Sequence, residues 1–242
     1  MLIPAEVEPL QRSLRQWYQT QGRDLPWRKT NDLYQIWVSE IMLQQTQVKT
    51  VIPYYQRWLE TFPDISTLAE KSQQTVLKQW EGLGYYARAR NLHRAAQVIV
   101  NDYNGVFPNQ LPDVLSLPGI GRTTAGGILS AAFNQPLSIL DGNVKRVLAR
   151  LIALEIPPNK AINQLWDLSD QLLDRNHPRD YNQALMDLGA TLCTPKQPSC
   201  LLCPWRNYCQ AFQHNLQTKI PMRTPSSPLP HKQIGVAVIW NQ

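Results

Sequence analysis

The chain has 242 residues, 43% hydrophobic and 17% charged, with a net charge of +6. This composition excludes a disordered chain and leaves room for one large or two modest domains with a real core. The start of the sequence carries no signal-type apolar stretch and no run is long enough to span a membrane, so a soluble cytoplasmic protein is expected, and the mild basic excess suits a polyanion such as nucleic acid.

In chain order, Leu10, Leu14, Trp17 and Tyr18 share one helical face, and Gly22 ends that helix. After a polar link through Arg28, Asn31 or Asp32 can cap a helix running through YQIWVSEIMLQQTQV, whose density of apolar residues predicts burial. Pro53 and Pro63 punctuate the next segments. Ser72 opens another helix, with Val76, Leu77 and Trp80 on its face, and Gly82 and Gly84 break it. Residues 86–101 read as a strong helix stopped by Gly105. LPGIG, Leu117 to Gly121, reads as a tight hairpin between two helices, and further helices are expected at about 143–154, 159–174 and 180–191. Only 233–240, QIGVAVIW, alternates with the period of a strand. It follows a proline-rich link, as if a second domain had begun and been cut off.

Three features carry candidate chemistry. The hairpin glycines let backbone N–H groups approach a phosphate at a helix N-terminus. Asp141, just before a helix, reads as an N-cap, and Glu40 sits among Ile36, Trp37, Val38, Ile41, Met42 and Leu43. An acid in apolar surroundings can hold its proton at neutral pH; a solvent-facing glutamate on an amphipathic helix is the plain alternative. All four cysteines fall in one 17-residue stretch, Cys193, Cys200, Cys203 and Cys209, which favours one metal centre over a disulfide framework and allows zinc or an iron–sulfur cluster.

LPGIGRTTAG, LDGNVKRVLARL and the C-x6-C-x2-C-x5-C spacing together resemble the helix-hairpin-helix DNA glycosylases that carry an iron–sulfur loop. LPWR, IWVSEIMLQQTQV and GLGYYARARNLH look like the A/G-specific adenine glycosylase branch. The resemblance implies an all-α, two-lobed fold. A six-helix barrel would span 30–135, a cluster lobe 1–29 and 136–218, a linker 219–232, and the truncated start of a Nudix-like domain 233–242. It implies a [4Fe–4S] cluster on the four cysteines and a monomer bound to duplex DNA, associated with the nucleoid. The activity implied is hydrolysis of the N-glycosidic bond of adenine mispaired with 8-oxoguanine or guanine, leaving an abasic site.

Carried over position by position, Glu40 becomes the acid that protonates adenine. Asp141 becomes the carboxylate that meets positive charge on the sugar, with Asn143 as its positioning neighbour. Arg28 and Gln183 would line the adenine pocket, with Trp27 beside them. Gln44, Gln45 and Thr46 would enter the duplex, and Leu83 and Tyr85 would act as wedges, with Tyr86 left to the core. Gly119, Gly121 and Lys145, with Arg146, are the phosphate contacts. Thr123 stands where bifunctional relatives hold a lysine that attacks the sugar, so strand cleavage by that route is not expected. A bifunctional glycosylase/lyase acting on oxidised pyrimidines and a non-catalytic iron–sulfur DNA-binding protein are the alternatives.

Overall fold

The computed structural model describes residues 4–222, together with Gly235 and Trp240. The expected strand at 233–240, the domain start it would open and most of the linker lie outside the described residues. Among the described residues the chain is helical throughout.

The first helix, α1 (Pro4–Gln21), places Leu10 and Leu14 fully inside. The second, α2 (Leu33–Met42), starts where Asp32 accepts a hydrogen bond from the Gln35 N–H at 3.1 Å. It stops at Met42, so Gln44 to Thr46 form a turn and not the expected helix end. Next come α3 (Val48–Thr61), α4 (Ile65–Glu70) and α5 (Gln73–Gln79), the last capped by Ser72 as expected. Pro53 does not punctuate: α3 runs through it. Helix α6 (Ala87–Asp102) ends where the Gly105 N–H returns to the Ile99 carbonyl at 2.9 Å with φ +76°, a conformation that costs glycine nothing. Then α7 (Leu111–Ser116) and α8 (Arg122–Phe133) flank the hairpin. The chain closes with α9 (Gly142–Leu151), α10 (Ile162–Leu172), α11 (Pro178–Asp187) and the short α12 (Gln210–Gln213). A single π-turn, Leu188–Leu192, extends α11.

Two apolar clusters hold these elements. One gathers α2 to α8 around Trp37, Trp58 and Trp80, whose rings meet Phe107, Phe62 and each other edge-on. The other joins Leu10 and Leu14 of α1 to α9, α10, α11 and Trp205. Each large apolar side chain buried this way contributes roughly 1.5–3 kcal/mol. Helix α8 belongs to the first cluster yet also packs against α11 of the second. Across that boundary the buried Asn182 amide donates to Ser130 Oγ at 2.9 Å and to the Leu137 carbonyl at 2.8 Å.

Two adjacent glycines let α8 approach the following Ser138 segment and α2. A Cβ at Gly126 would meet the Ser138 carbonyl oxygen at 2.4 Å, and one at Gly127 would meet Glu40 Oε2 at 2.8 Å. The seam between the clusters is therefore where the Glu40 carboxyl comes to rest.

Candidate active site

Glu40 lies near the C-terminal end of α2 and keeps only part of its surface open, toward a pocket shared with Trp27, Arg28 and Gln183. Burial pushes its carboxyl up to about 7, the negative charge of Asp141 adds to the rise, and Arg28 opposes it. The apolar run that suggested a buried acid therefore does bury it, with its oxygens against the bare backbone of Gly127.

Asp141 caps α9 by accepting the Val144 N–H at 2.7 Å. Burial raises its carboxyl above the ordinary aspartate range. The backbone N–H groups of Val144 and Asn143, the Arg146 charge and the Asn143 side chain resist that rise. Asn143 Nδ2 donates to Asp141 Oδ2 at 3.4 Å, while Arg146 Nη2 donates to Asn143 Oδ1 at 2.8 Å. The guanidinium thus fixes which end of the amide faces the carboxylate. Gly189, in the π-turn, permits the arrangement: a Cβ there would meet the Asn143 Cβ at 2.6 Å. Arg146 also donates to the Cys193 and Gly189 carbonyls at 2.8 and 2.7 Å. Its guanidinium is thus engaged within the chain, while both Arg146 and Lys145 beside it stay partly exposed.

The pocket brings together residues from distant segments. Gln183 is only 8% exposed and Trp27 5%, and both face it, as does Arg28. Arg28 is not a free arm, because its guanidinium makes two 2.7 Å hydrogen bonds to the carboxylate of Asp187, which is wholly buried. Arg23 adds its backbone N–H at 2.9 Å and its Nε at 2.7 Å to the same carboxylate. Burial would raise Asp187, but the bonds and charge of Arg28, with those of Arg23, outweigh it and hold the carboxyl below its usual range. Arg179 ties this segment to α11 by donating to the carbonyls of Arg28 and Thr30 at 3.2 and 3.0 Å. Tyr18, Ile36, Ser39, Ala131, Arg179 and Asp180 complete the lining, and none was expected there from sequence.

The two loops near the end of α2 differ in part from expectation. Gln44 Nε2 donates to Thr124 Oγ1 at 3.1 Å, and Gln45 sits at the turn's tip with φ +58°. Tyr85 projects from its loop, 61% exposed with φ +50°. Leu83 does not: it is 5% exposed inside the first cluster, because the left-handed glycines on either side fold it inward. Tyr86, assigned to the core, is 39% exposed. In the hairpin, Gly119 has φ +81° and a Cβ there would strike Asn91 at 2.7 Å. Gly121 begins α8 without a side-chain cap, leaving first-turn N–H groups to an outside acceptor. Thr123 follows in that first turn, partly exposed.

The four cysteines line one cavity with Arg150 and Arg206. Burial pushes the Cys203 thiol up to about 12 and raises Cys200 and Cys209 as well. Thiolates there need a bound cation. Among the described residues no three side chains converge on a point that a single ion could fill. Four thiols lining one cavity are a donor set that either a zinc ion or an iron–sulfur cluster takes. Arg150, 2% exposed, braces the loop by donating to the Thr194 and Pro195 carbonyls at 2.7 and 3.1 Å and to Cys193 Sγ at 3.3 Å. No helix among the described residues is long and apolar enough to cross a membrane.

Residues 38–171 match the model of the HhH-GPD superfamily of base excision DNA repair proteins. The chain is 45% identical over 206 residues to an adenine DNA glycosylase of Buchnera aphidicola, covering 84% of this chain and 58% of that protein. It is 45% identical over 235 residues to the Rattus norvegicus adenine DNA glycosylase, covering 93% and 45%. Identity to that of Homo sapiens is 44% over 227 residues, covering 89% and 42%. The chain thus spans about half the length of these relatives. Among solved structures, a thermostable thymine-DNA glycosylase superposes with a TM-score of 0.80 at 28% identity, covering 87% of this chain and 98% of that one. An endonuclease III trapped as a covalent intermediate with DNA shares the fold at 0.77 and 18% identity, covering 89% and 100%.

Proposed function

Because the chain belongs to the HhH-GPD superfamily of base excision DNA repair proteins, we propose that it is a monofunctional adenine DNA glycosylase acting as a monomer on duplex DNA. Its substrate is adenine mispaired with guanine or 8-oxoguanine, and its products are free adenine and an abasic site. The observation that carries this reading is the pairing of two unlike carboxyls across one seam. Glu40, pushed up to about 7, has a proton to give; burial raises Asp141 as well, but the cap N–H groups of Val144 and Asn143, the Arg146 charge and the Asn143 side chain all favour its anion.

The steps follow from those states. An extruded adenine enters the pocket between Trp27, Arg28 and Gln183, where an amide can pair with a purine edge. Glu40 protonates a ring nitrogen, which turns adenine into a leaving group. Positive charge builds on the sugar as the bond breaks, and Asp141 stabilises it electrostatically or covalently. The now ionised Glu40 accepts a proton from the attacking water. Gly119, Gly121 and Lys145 contact phosphate, and Gln44, Gln45, Thr46 and Tyr85 fill the space the base has left.

Cys193, Cys200, Cys203 and Cys209 would hold a [4Fe–4S] cluster, which when bound ties the 193–209 loop together. Purified protein is expected to be yellow-brown, with iron and acid-labile sulfide on analysis. Cys203→Ser should lose both colour and several degrees of Tm, and zinc in place of iron would reject the cluster assignment.

One assay tests the reaction class. A labelled duplex with an adenine·8-oxoguanine mispair is incubated with the protein and analysed with and without hot alkali. Breakage only after alkali is expected, because Thr123 supplies no amine. Breakage without alkali would mean a lyase, and an intact strand under both conditions would remove the glycosylase reading.

A further inference from the structure

Arg88 opens α6 and is 8% exposed, although nothing in the steps above uses it. Its guanidinium lies between the two loops that bracket the end of α2. Nη1 is within hydrogen-bonding distance of the carbonyls of Ile41 (3.1 Å), Met42 (2.7 Å) and Gln44 (2.7 Å). Nη2 reaches Thr46 Oγ1 (3.0 Å) in the same loop and the carbonyls of Leu83 (3.3 Å) and Gly84 (3.1 Å) in the other. Its plane also sits 5.2 Å from the Trp80 ring centre and 5.5 Å from that of Tyr85.

The pattern of acceptors is informative. Gln45 and Tyr85 both have left-handed backbones, at φ +58° and +50°. Such a conformation is unfavourable for a side-chain-bearing residue and persists only where its surroundings enforce it. Arg88 holds the carbonyl immediately before each of them, Gln44 and Gly84. It also satisfies the Ile41 and Met42 carbonyls at the end of α2, one and two residues from Glu40, where a cation is favoured.

We propose that Arg88 is a positioning residue that locks residues 42–47 and 82–86 into one two-tipped wedge, so that Gln45 and Tyr85 enter the duplex together and drive extrusion of the target base. This rests on the glycosylase reading for its substrate but not for its geometry. A planar fork can bridge two loops in this way, whereas a lysine presents a point charge and cannot. The loss in Arg88→Lys should therefore fall on extrusion and not on bond cleavage.

The test compares the full chain with Arg88→Lys and Arg88→Met, after circular dichroism and Tm have verified folding; the lysine variant, which keeps charge and stem, serves if the methionine variant does not fold. Single-turnover adenine release from an adenine·guanine duplex is expected to fall roughly tenfold or more. On a duplex with an abasic analogue opposite the adenine, where no pair has to be broken, the deficit should shrink several-fold. Amide hydrogen exchange should quicken in both loops at once. An equal deficit on both duplexes, or exchange that changes in one loop only, would overturn the coupling. A duplex carrying 2-aminopurine in place of the adenine separates this inference from the proposed reaction. If the unaltered chain releases no adenine from any duplex, the glycosylase reading fails. The wedge then stands or falls on whether 2-aminopurine emission rises with the unaltered chain and not with Arg88→Lys.

Discussion

Asp141→Asn is expected to cut adenine release by roughly 10²–10³-fold, while duplex binding and thermal stability stay near those of the unaltered chain. The separation arises because Asp141 has two tasks, each served by a different property. As a cap it needs an oxygen to accept the Val144 N–H, now at 2.7 Å, and asparagine keeps one. As a catalytic group it needs a full negative charge near the sugar, and asparagine has none. Loss of the anion at the helix N-terminus costs a few tenths of a kcal/mol. Relief of the burial that already raises this carboxyl works in the opposite direction. Single-turnover release, a binding titration and a melting curve on the same preparation read the three quantities. Release within a few-fold of normal would take Asp141 out of the reaction. A large fall in Tm would mean that its role is to cap.

The helices, the hairpin and the glycine stops were legible because they depend on local signals. Asp32, Ser72 and Asp141 each cap through an atom three residues away, and Gly105 and Gly119 need conformations that few other residues accept. Pro53 misled because it stands exposed on α3, while Val51, Tyr55 and Trp58 are buried in the first cluster and hold the helix together through it. Leu83 misled because a wedge and a core leucine have the same sequence context. Only the turn geometry decides which way the side chain points.

The charged groups that organise the site were the harder part. The sequence assigns no role to Arg88, Arg150 or Asp187, yet each lies on a buried stripe. Arg88 is four residues before Leu92, Arg150 is three after Val147, and Asp187 is three after Ala184. A charge in register with an apolar face is therefore a usable signal. What it cannot reveal is the partner: Asp187 meets Arg23 and Arg28, more than 150 residues away. Tyr18, Arg179 and Asp180 reach the pocket by the same long-range folding and have no local mark.

Glu40→Gln should remove the acid and slow adenine release by roughly 10²–10⁴-fold, and it should also stabilise the protein above neutral pH. Both effects have one cause. Burial first, and the Asp141 charge second, lift this carboxyl from 4.5 to about 7. Below 4.5 the group is protonated whether the chain is folded or not, and its burial carries no charge penalty. Between 4.5 and about 7 the folded state binds more proton than the unfolded one, so stability falls as pH rises. Above 7 the folded chain carries a buried anion at a cost on the order of 1–3 kcal/mol. Glutamine fills the same space against Gly127 without that charge. The variant's Tm should therefore exceed that of the unaltered chain at pH 8 and match it near pH 4.5. The activity of the unaltered chain should decline as pH rises through about 7, where Glu40 gives up the proton that adenine needs. Melting curves at the two pH values and a kcat/KM profile across them measure both limbs. A variant whose Tm does not exceed that of the unaltered chain at pH 8, beside a flat alkaline profile in the unaltered chain, would mean that Glu40 is ionised throughout and that another group supplies the proton.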